Sequence, residues 1–159
     1  DPNAAPQTTI EQWIPPVYLP TDTPVTGFTA RAELLNQIFF LASRDHMLND
    51  IKTQQDQIWY YRFDWDEEPA PFNEIYGAAH SFDLPFQFGN FGPSLLSNFV
   101  NTDANRPGRL DLSDAMMNSL GAFAYNGDPN TPELGVAWPT WPAKLIFDAT
   151  LTNKVIVVE

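Results

Sequence analysis

The sequence predicts an α/β fold with a mostly parallel sheet, and three observations carry that expectation. Apolar residues recur at helical spacing over 30–51, the run Ile58 to Trp65 (IWYYRFDW) is dense in β-branched and aromatic residues, and a second helical pattern over 112–125 precedes two short apolar runs.

Residues 1–27 hold six prolines, at 2, 6, 15, 16, 20 and 24. Each removes a backbone donor and biases the residue before it away from helix, so this segment is expected to wrap a surface. Leu34, Leu35, Ile38, Phe39, Leu41 and Ala42 then follow helical spacing behind Thr29, the expected N-cap, with a break expected near Ser43. The run IWYYRFDW, dense in β-branched and aromatic residues and flanked by polar ones, is expected to be an inner parallel strand buried on both faces. Asp66 to Phe72 carries two prolines and three acids and must leave the sheet, which leads to Gly77-Ala78-Ala79-His80 just beyond a strand end. In open α/β sheets that is where ligands bind. The second helix is expected to start at Asp111 or Ser113, to use Leu112, Met116, Leu120 and Phe123 as its apolar positions, and to stop at Gly127. Lys144 to Asp148 and Lys154 to Val158 read as a closing hairpin around Leu151-Thr152-Asn153.

Forty-three per cent apolar residues over 159 positions suffice for a real core. One helix-to-strand unit, a helix and a hairpin do not close a domain, however, so five tryptophans and twelve phenylalanines are expected to leave apolar surface for another polypeptide. Eight Lys plus Arg against twenty Asp plus Glu give a net charge of −12, which opposes nucleic acid as a partner. Without cysteine there is no thiolate nucleophile and no Cys-based metal site, and the compartment stays open. No run approaches the roughly 18 apolar residues of a membrane span. The start, Asp1-Pro2-Asn3-Ala4-Ala5-Pro6, lacks an initiator methionine and reads as the product of a cut.

The two histidines confine the search for chemistry. His46, inside the first helical pattern, reads as a surface or packing residue. His80 follows small residues and precedes Phe82, Leu84, Phe86 and Phe88, which read as an apolar wall against bulk water. A neutral imidazole there suits a general base, and the same context suits a structural histidine bonded to a backbone carbonyl. No Gly-x-Ser-x-Gly is present, since Gly92-Pro93-Ser94-Leu95-Leu96 lacks the second glycine. Ser81, adjacent to His80, is poorly placed as a nucleophile because neighbouring residues seldom aim at one atom. No phosphate loop or His-x-x-x-His metal spacing is found.

Four segments in order carry a resemblance to the C-terminal third of type-B carboxylesterases, the family of cholinesterases and bacterial p-nitrobenzyl esterases. They are IWYYRFDW at 58–65, GAAHSFDLPFQFGNF at 77–91, LSDAMMNSLGAFAYNGDPN at 112–130, and AWPTWP with KLIFD, together spanning 58–148. The resemblance implies the C-terminal part of an α/β-hydrolase fold in which His80 is the base of a Ser-acid-His triad. In this family the serine and the acid precede the histidine, the acid by more residues than stand before His80 here. Both, with the oxyanion-hole glycines, are therefore expected on an N-terminal polypeptide, the essential partner without which this chain is inactive. By similarity Tyr76 and Ala79 would face a pocket for a small uncharged ester, or serve in packing. Ser81 stands where glycine is usual, and Asp83 where glutamate is common, with a shorter reach for a supporting hydrogen bond. No metal or organic cofactor is implied. Two further readings remain: a cholinesterase-like adhesion protein in which His80 is a relic, and an autonomous acidic binding domain.

Overall fold

The computed structural model describes residues 7–94 and 97–159, which form two compact units, Gln7–Ile58 and Trp59–Glu159. Of the expected proline-rich wrap, Pro2 and Pro6 lie outside the described residues.

In the first unit, short 3₁₀ turns at Ile10–Gln12 and Pro16–Tyr18 lead to a bracket that starts the helix. The N–H of Thr29 donates to the Thr21 carbonyl at 3.0 Å, and that of Gly27 to the Thr23 carbonyl at 2.8 Å. A Cβ on Gly27 would lie 2.4 Å from the Thr21 oxygen, so only glycine fits there. Helix α1 (Phe28–Asn36) is accordingly capped by Gly27 and not by the expected Thr29, which sits inside its first turn. The anticipated break falls earlier than Ser43, as a π-helical turn at Gln37–Leu41, before α2 (Ala42–Lys52). The apolar stripe read as a core face is not one within this unit. Leu34, Leu35, Ile38 and Phe39 are each more than half exposed, and Leu48 is the buried residue of α2.

The second unit is built on a three-stranded sheet with α-helices between its first two strands. The elements are β1 (Tyr61–Phe63), α3 (Phe72–Ile75), α4 (Leu84–Phe88), α5 (Ser97–Val100), α6 (Arg106–Asn126), β2 (Leu145–Ala149) and β3 (Lys154–Val158). The order is β1-β2-β3, with β1 parallel to β2 (Tyr61 opposite Leu145, Phe63 opposite Phe147) and β3 antiparallel to β2. The expected parallel pairing and closing hairpin are thus present. Strand β1 departs from expectation in being three residues long, half-buried and at the edge of this sheet; the strand buried throughout its apolar positions is β2, whose Leu145, Ile146, Phe147 and Ala149 are all buried.

Helix α6 packs Leu112, Ala115, Met116 and Ser119 inward at the i, i+3, i+4, i+7 spacing of one helix face. Leu112 and Met116 join Trp65, Phe86, Leu134, Trp138, Leu145, Phe147 and Ala149 in one core cluster. Burial of each large side chain contributes roughly 1.5–3 kcal/mol. Leu120 and Phe123, read as part of the same stripe, are 37% and 47% exposed; Phe123 instead meets Trp59 edge-to-face at 5.8 Å. Gly127, at φ 75°, ends the helix as expected. Its start is six residues earlier than the sequence predicted, at Arg106 with Asn105 as N-cap. Asp111 is no cap: its carboxylate accepts from the Lys154 N–H at 2.9 Å and the Lys154 ammonium at 2.7 Å. Ser113 is no cap either, and its hydroxyl donates to the Phe86 carbonyl at 2.8 Å.

The Gly-Asp-Pro-Asn segment works as a splice. The Asn130 amide donates to the Trp138 carbonyl and accepts from the Trp138 N–H at 2.7 Å, while the Ser119 hydroxyl donates to the Pro129 carbonyl at 2.6 Å. These bonds hang Trp138 over the sheet, where its indole N–H donates to the Tyr60 carbonyl at 3.2 Å. No helix among the described residues is long and apolar enough to cross a membrane.

At Gly108 helix and hairpin touch through backbone: its N–H donates to the Leu151 carbonyl at 3.0 Å, and a Cβ there would lie 1.8 Å from the Thr150 oxygen. Because the obstructing atom is backbone, Gly108→Ala is expected to destabilise the fold by about 1–3 kcal/mol, the usual range for overpacking. A urea midpoint unchanged from wild type would show that the helix and hairpin are not held this closely.

Candidate active site

His80 lies on the turn between α3 and α4 and not directly after a strand as the sequence suggested. The Phe82 N–H closes the turn onto the Ala79 carbonyl at 3.0 Å, which leaves His80 and Ser81 at its two central positions. Ser81 has φ 70°, the left-handed region that type II turns reserve for glycine at that position. The glycine expected at this position would adopt that backbone without strain. His80 is exposed, and among the described residues no hydrogen-bond partner meets its imidazole.

The apolar wall expected after His80 is a short helix. Phe82 and Phe86, four apart, are buried, and Leu84 and Phe88 are 46% and 66% exposed. Phe86 packs on Phe63 and Trp65, each with ring centres 5.0 Å away, and so fixes α4 against the sheet end. The helix stops at Gly89, φ 60°, where the N–H groups of Gly89 and Asn90 both return to the Pro85 carbonyl. A Cβ on Gly89 would meet the Met117 sulfur at 2.6 Å, a measure of how closely α4 lies on α6.

Tyr76 belongs to an aromatic group, stacked on Phe72 at 6.0 Å and tilted against Phe82 at 5.9 Å. Ala79 is half-buried; its carbonyl closes the turn and its N–H donates to the Gly77 carbonyl at 2.7 Å. A cavity of about 290 Å³ is lined by Ser81, Phe82, Trp65 and Phe91 among others, and not by Tyr76, Ala79 or His80. Asp83 accepts from the Tyr61 hydroxyl at 2.7 Å and from the Gln87 amide at 3.0 Å, and Gln87 also donates to the Tyr61 oxygen. Sequence reasoning did not single out Tyr61 or Gln87. The four-residue spacing of Asp83 and Gln87 on one helical turn is the one local signal of their pairing, and Tyr61 is reached only through the fold. Ser94, the near miss for a nucleophile motif, exchanges hydrogen bonds with Ser97 at the surface; the Leu95 and Leu96 that follow it lie outside the described residues. His46 is exposed on α2, as expected. Among the described residues no group of three or more His, Cys, Asp or Glu is placed to hold a metal ion.

Carboxylates gather where β1 and β2 end. Burial raises Asp66 and Asp148 above the usual carboxyl range, with neighbouring acids adding to the effect. Glu68 is 5% exposed with neither carboxyl oxygen hydrogen-bonded. Burial, and then the neighbouring Asp66 and Glu67, push it up to about 8. Nearby, fully buried Asn105 donates to the Glu67 and Val100 carbonyls at 2.9 and 2.7 Å and accepts from Arg109 at 3.2 Å. The Arg109 guanidinium lies 4.5 Å from the centre of the Phe91 ring, and burial lowers its pKa.

Two expectations follow. Left-handed backbone costs a non-glycine residue about 1–2 kcal/mol, and glycine returns about 0.4–1 kcal/mol of that to the unfolded chain, so Ser81→Gly is expected to stabilise by about 0.5–1 kcal/mol in urea titration; a loss of stability would mean that the serine is unstrained. For Glu68, the folded state binds its proton more tightly than the unfolded chain does. Stability should therefore fall as pH rises from the ordinary carboxyl value of 4.5 to about 8 and level off above. Glu68→Gln is expected to remove that slope, and equal slopes in both proteins across pH 5 to 9 would show that Glu68 is not buried as an acid.

The carboxylesterase family model matches residues 3–154. Among solved structures, the Geobacillus stearothermophilus carboxylesterase EST55 shares 32% identity over 64% of this chain, with a TM-score of 0.43. A PNB esterase shares 29% identity over 64%, at 0.47, and a thermophilic PNB esterase 26% over 80%, at 0.48. The chain spans 19%, 19% and 28% of the length of those three proteins. No curated protein sequence matches it. The family match over nearly the whole chain, and not the partial superpositions, decides the assignment: the chain belongs to the carboxylesterase family, and its helices and three-stranded sheet are part of an α/β-hydrolase fold.

Proposed function

We propose that this chain supplies His80 as the general base of a type-B carboxylic ester hydrolase whose nucleophilic serine and triad acid lie on a polypeptide N-terminal to it. One observation carries the reading. A structural histidine would spend its ring nitrogens on neighbouring backbone or side chains, whereas the His80 imidazole is exposed at the tip of a tight turn and bonded to none of the described residues. Both ring nitrogens are then free for a serine hydroxyl on one side and a carboxylate on the other, the division of labour a triad requires. The family match supports ester chemistry, and the sequence lacks a nucleophile elbow of its own.

In this mechanism the serine attacks the ester carbonyl while His80 takes the hydroxyl proton. Backbone amides on the N-terminal polypeptide hold the oxyanion, and His80 returns the proton to the leaving alcohol. His80 then deprotonates water, which releases the acid. Tyr76 and Ala79, close to the base in sequence, would bound the site for a small uncharged ester together with the N-terminal polypeptide, since the cavity within this chain is lined by neither. Asp83 supports the turn from below. The exposed apolar face of α1 and the unpaired edge of β1 are surfaces that the N-terminal polypeptide would cover.

Hydrolysis of p-nitrophenyl acetate and butyrate by the enzyme assembled with its N-terminal polypeptide tests the reading. His80→Ala is expected to lose at least about a thousandfold in kcat/KM with assembly intact, and this chain alone to hydrolyse neither ester. An unchanged rate in His80→Ala, or no hydrolysis by the assembled wild type, would remove the base assignment and favour the adhesion reading.

A further inference from the structure

The geometry points to Tyr61 as a positioning residue for the catalytic turn: through Asp83, its hydroxyl fixes where His80 stands relative to the sheet. This rests on the reading of His80 as the general base.

Tyr61 is rigid before it meets the turn. Its backbone is paired with Leu145 of β2, and its ring is gripped edge-to-face by Phe147 at 5.4 Å and Trp138 at 6.2 Å, both members of the buried core. The hydroxyl then projects to the Asp83 carboxylate, 2.7 Å away and three residues beyond His80. Gln87, one turn further along α4, donates to the same carboxylate oxygen at 3.0 Å and to the Tyr61 oxygen, so strand, turn and helix meet in one three-membered network. Burial and then the Asp83 hydrogen bond raise the phenol well above its ordinary value, which keeps it a donor throughout the neutral range.

The turn's other restraints tie it to its neighbours in the chain: Phe82 is buried and packs against Tyr76, and the Leu84 N–H donates to the Ser81 carbonyl at 3.3 Å. Its internal bond, Phe82 N–H to the Ala79 carbonyl, sets its shape but not its place, and its strained Ser81 favours opening. Phe86 and the Ser113 bond to its carbonyl hold α4 by its buried face. The Tyr61 hydroxyl is the one side-chain hydrogen bond among the described residues that joins β1 to the residues immediately following His80. A base displaced by about 1 Å costs on the order of a hundredfold in rate. Because Tyr61 lies in the sheet and its hydrogen bond toward the turn runs through Asp83, its loss should act on the proton-transfer step and leave ester binding alone.

The test uses the assembled esterase with p-nitrophenyl butyrate and compares wild type, Tyr61→Phe, Asp83→Ala, the double variant and His80→Ala. Tyr61→Phe keeps the ring contacts and removes only the hydroxyl. It is expected to lower kcat about ten- to a hundredfold with KM within about twofold of wild type and an unchanged melting temperature. The double variant is expected to be no slower than Asp83→Ala, since the two groups act as one unit. A wild-type kcat in Tyr61→Phe, or losses that simply multiply in the double variant, would overturn the inference while an inactive His80→Ala left the base assignment standing. An active His80→Ala would instead sink the reading beneath it. If Tyr61→Phe fails to fold, Asp83→Ala decides alone: a fall in kcat at constant KM supports the inference, and an unchanged kcat overturns it.

Discussion

The parallel pairing of Tyr61–Phe63 with Leu145–Phe147 governs the second unit, because two parallel neighbours cannot be joined by a tight turn. Everything between them must leave the sheet, cross one face and return at the starting end. That crossover is where α3, the His80 turn, α4, α5 and α6 lie. The histidine is thus carried on the part of the chain whose path the sheet constrains least locally and most globally. It is held by what the crossover packs against and not by ladder hydrogen bonds of its own.

What the crossover packs against is mostly apolar, but polar side chains fix its registration. Phe86, Leu112, Met116, Leu145 and Phe147 form the common core of helix and sheet, and such contacts are strong without being directional. Direction comes from wholly or partly buried side-chain hydrogen bonds between segments eight to thirty-eight residues apart. Ser113 reaches the Phe86 carbonyl, Asn105 the Glu67 carbonyl, Asn130 the backbone of Trp138, and Tyr61 the Asp83 carboxylate. Each joins two elements that the core alone would let slide. The acidic edge works in the opposite sense: Glu68 is buried without a partner, a cost the fold bears most lightly when that carboxyl keeps its proton.

Several features were legible in the sequence because their causes are local. Gly127 and the proline after Asp128 end α6 whatever surrounds them, and two short apolar runs on either side of Leu151-Thr152-Asn153 specify a hairpin. Ser81, which the sequence places where a glycine is expected, has a φ of 70°, a region glycine occupies freely. Other features have distant causes. The start of α6 was hidden because Arg106-Pro107-Gly108 reads as a turn, when proline is at home in a first helical turn and the glycine is there for the Thr150 carbonyl. Phe82, Leu84, Phe86 and Phe88 alternate like a strand yet include a helical turn, since five residues are too few for periodicity to distinguish the two. The stripe on α1 was legible as apolar, but within its own unit it is more than half exposed, and periodicity alone does not say what covers it.

The central claim is that His80 is one member of a triad completed by another part of the enzyme. An experimental structure of the assembled esterase tests it most directly. The account predicts a serine hydroxyl within about 2.6–3.2 Å of one His80 ring nitrogen and a carboxylate at the other, both from the N-terminal polypeptide. A His80 ring turned onto a backbone carbonyl, or with no serine within reach, would contradict it.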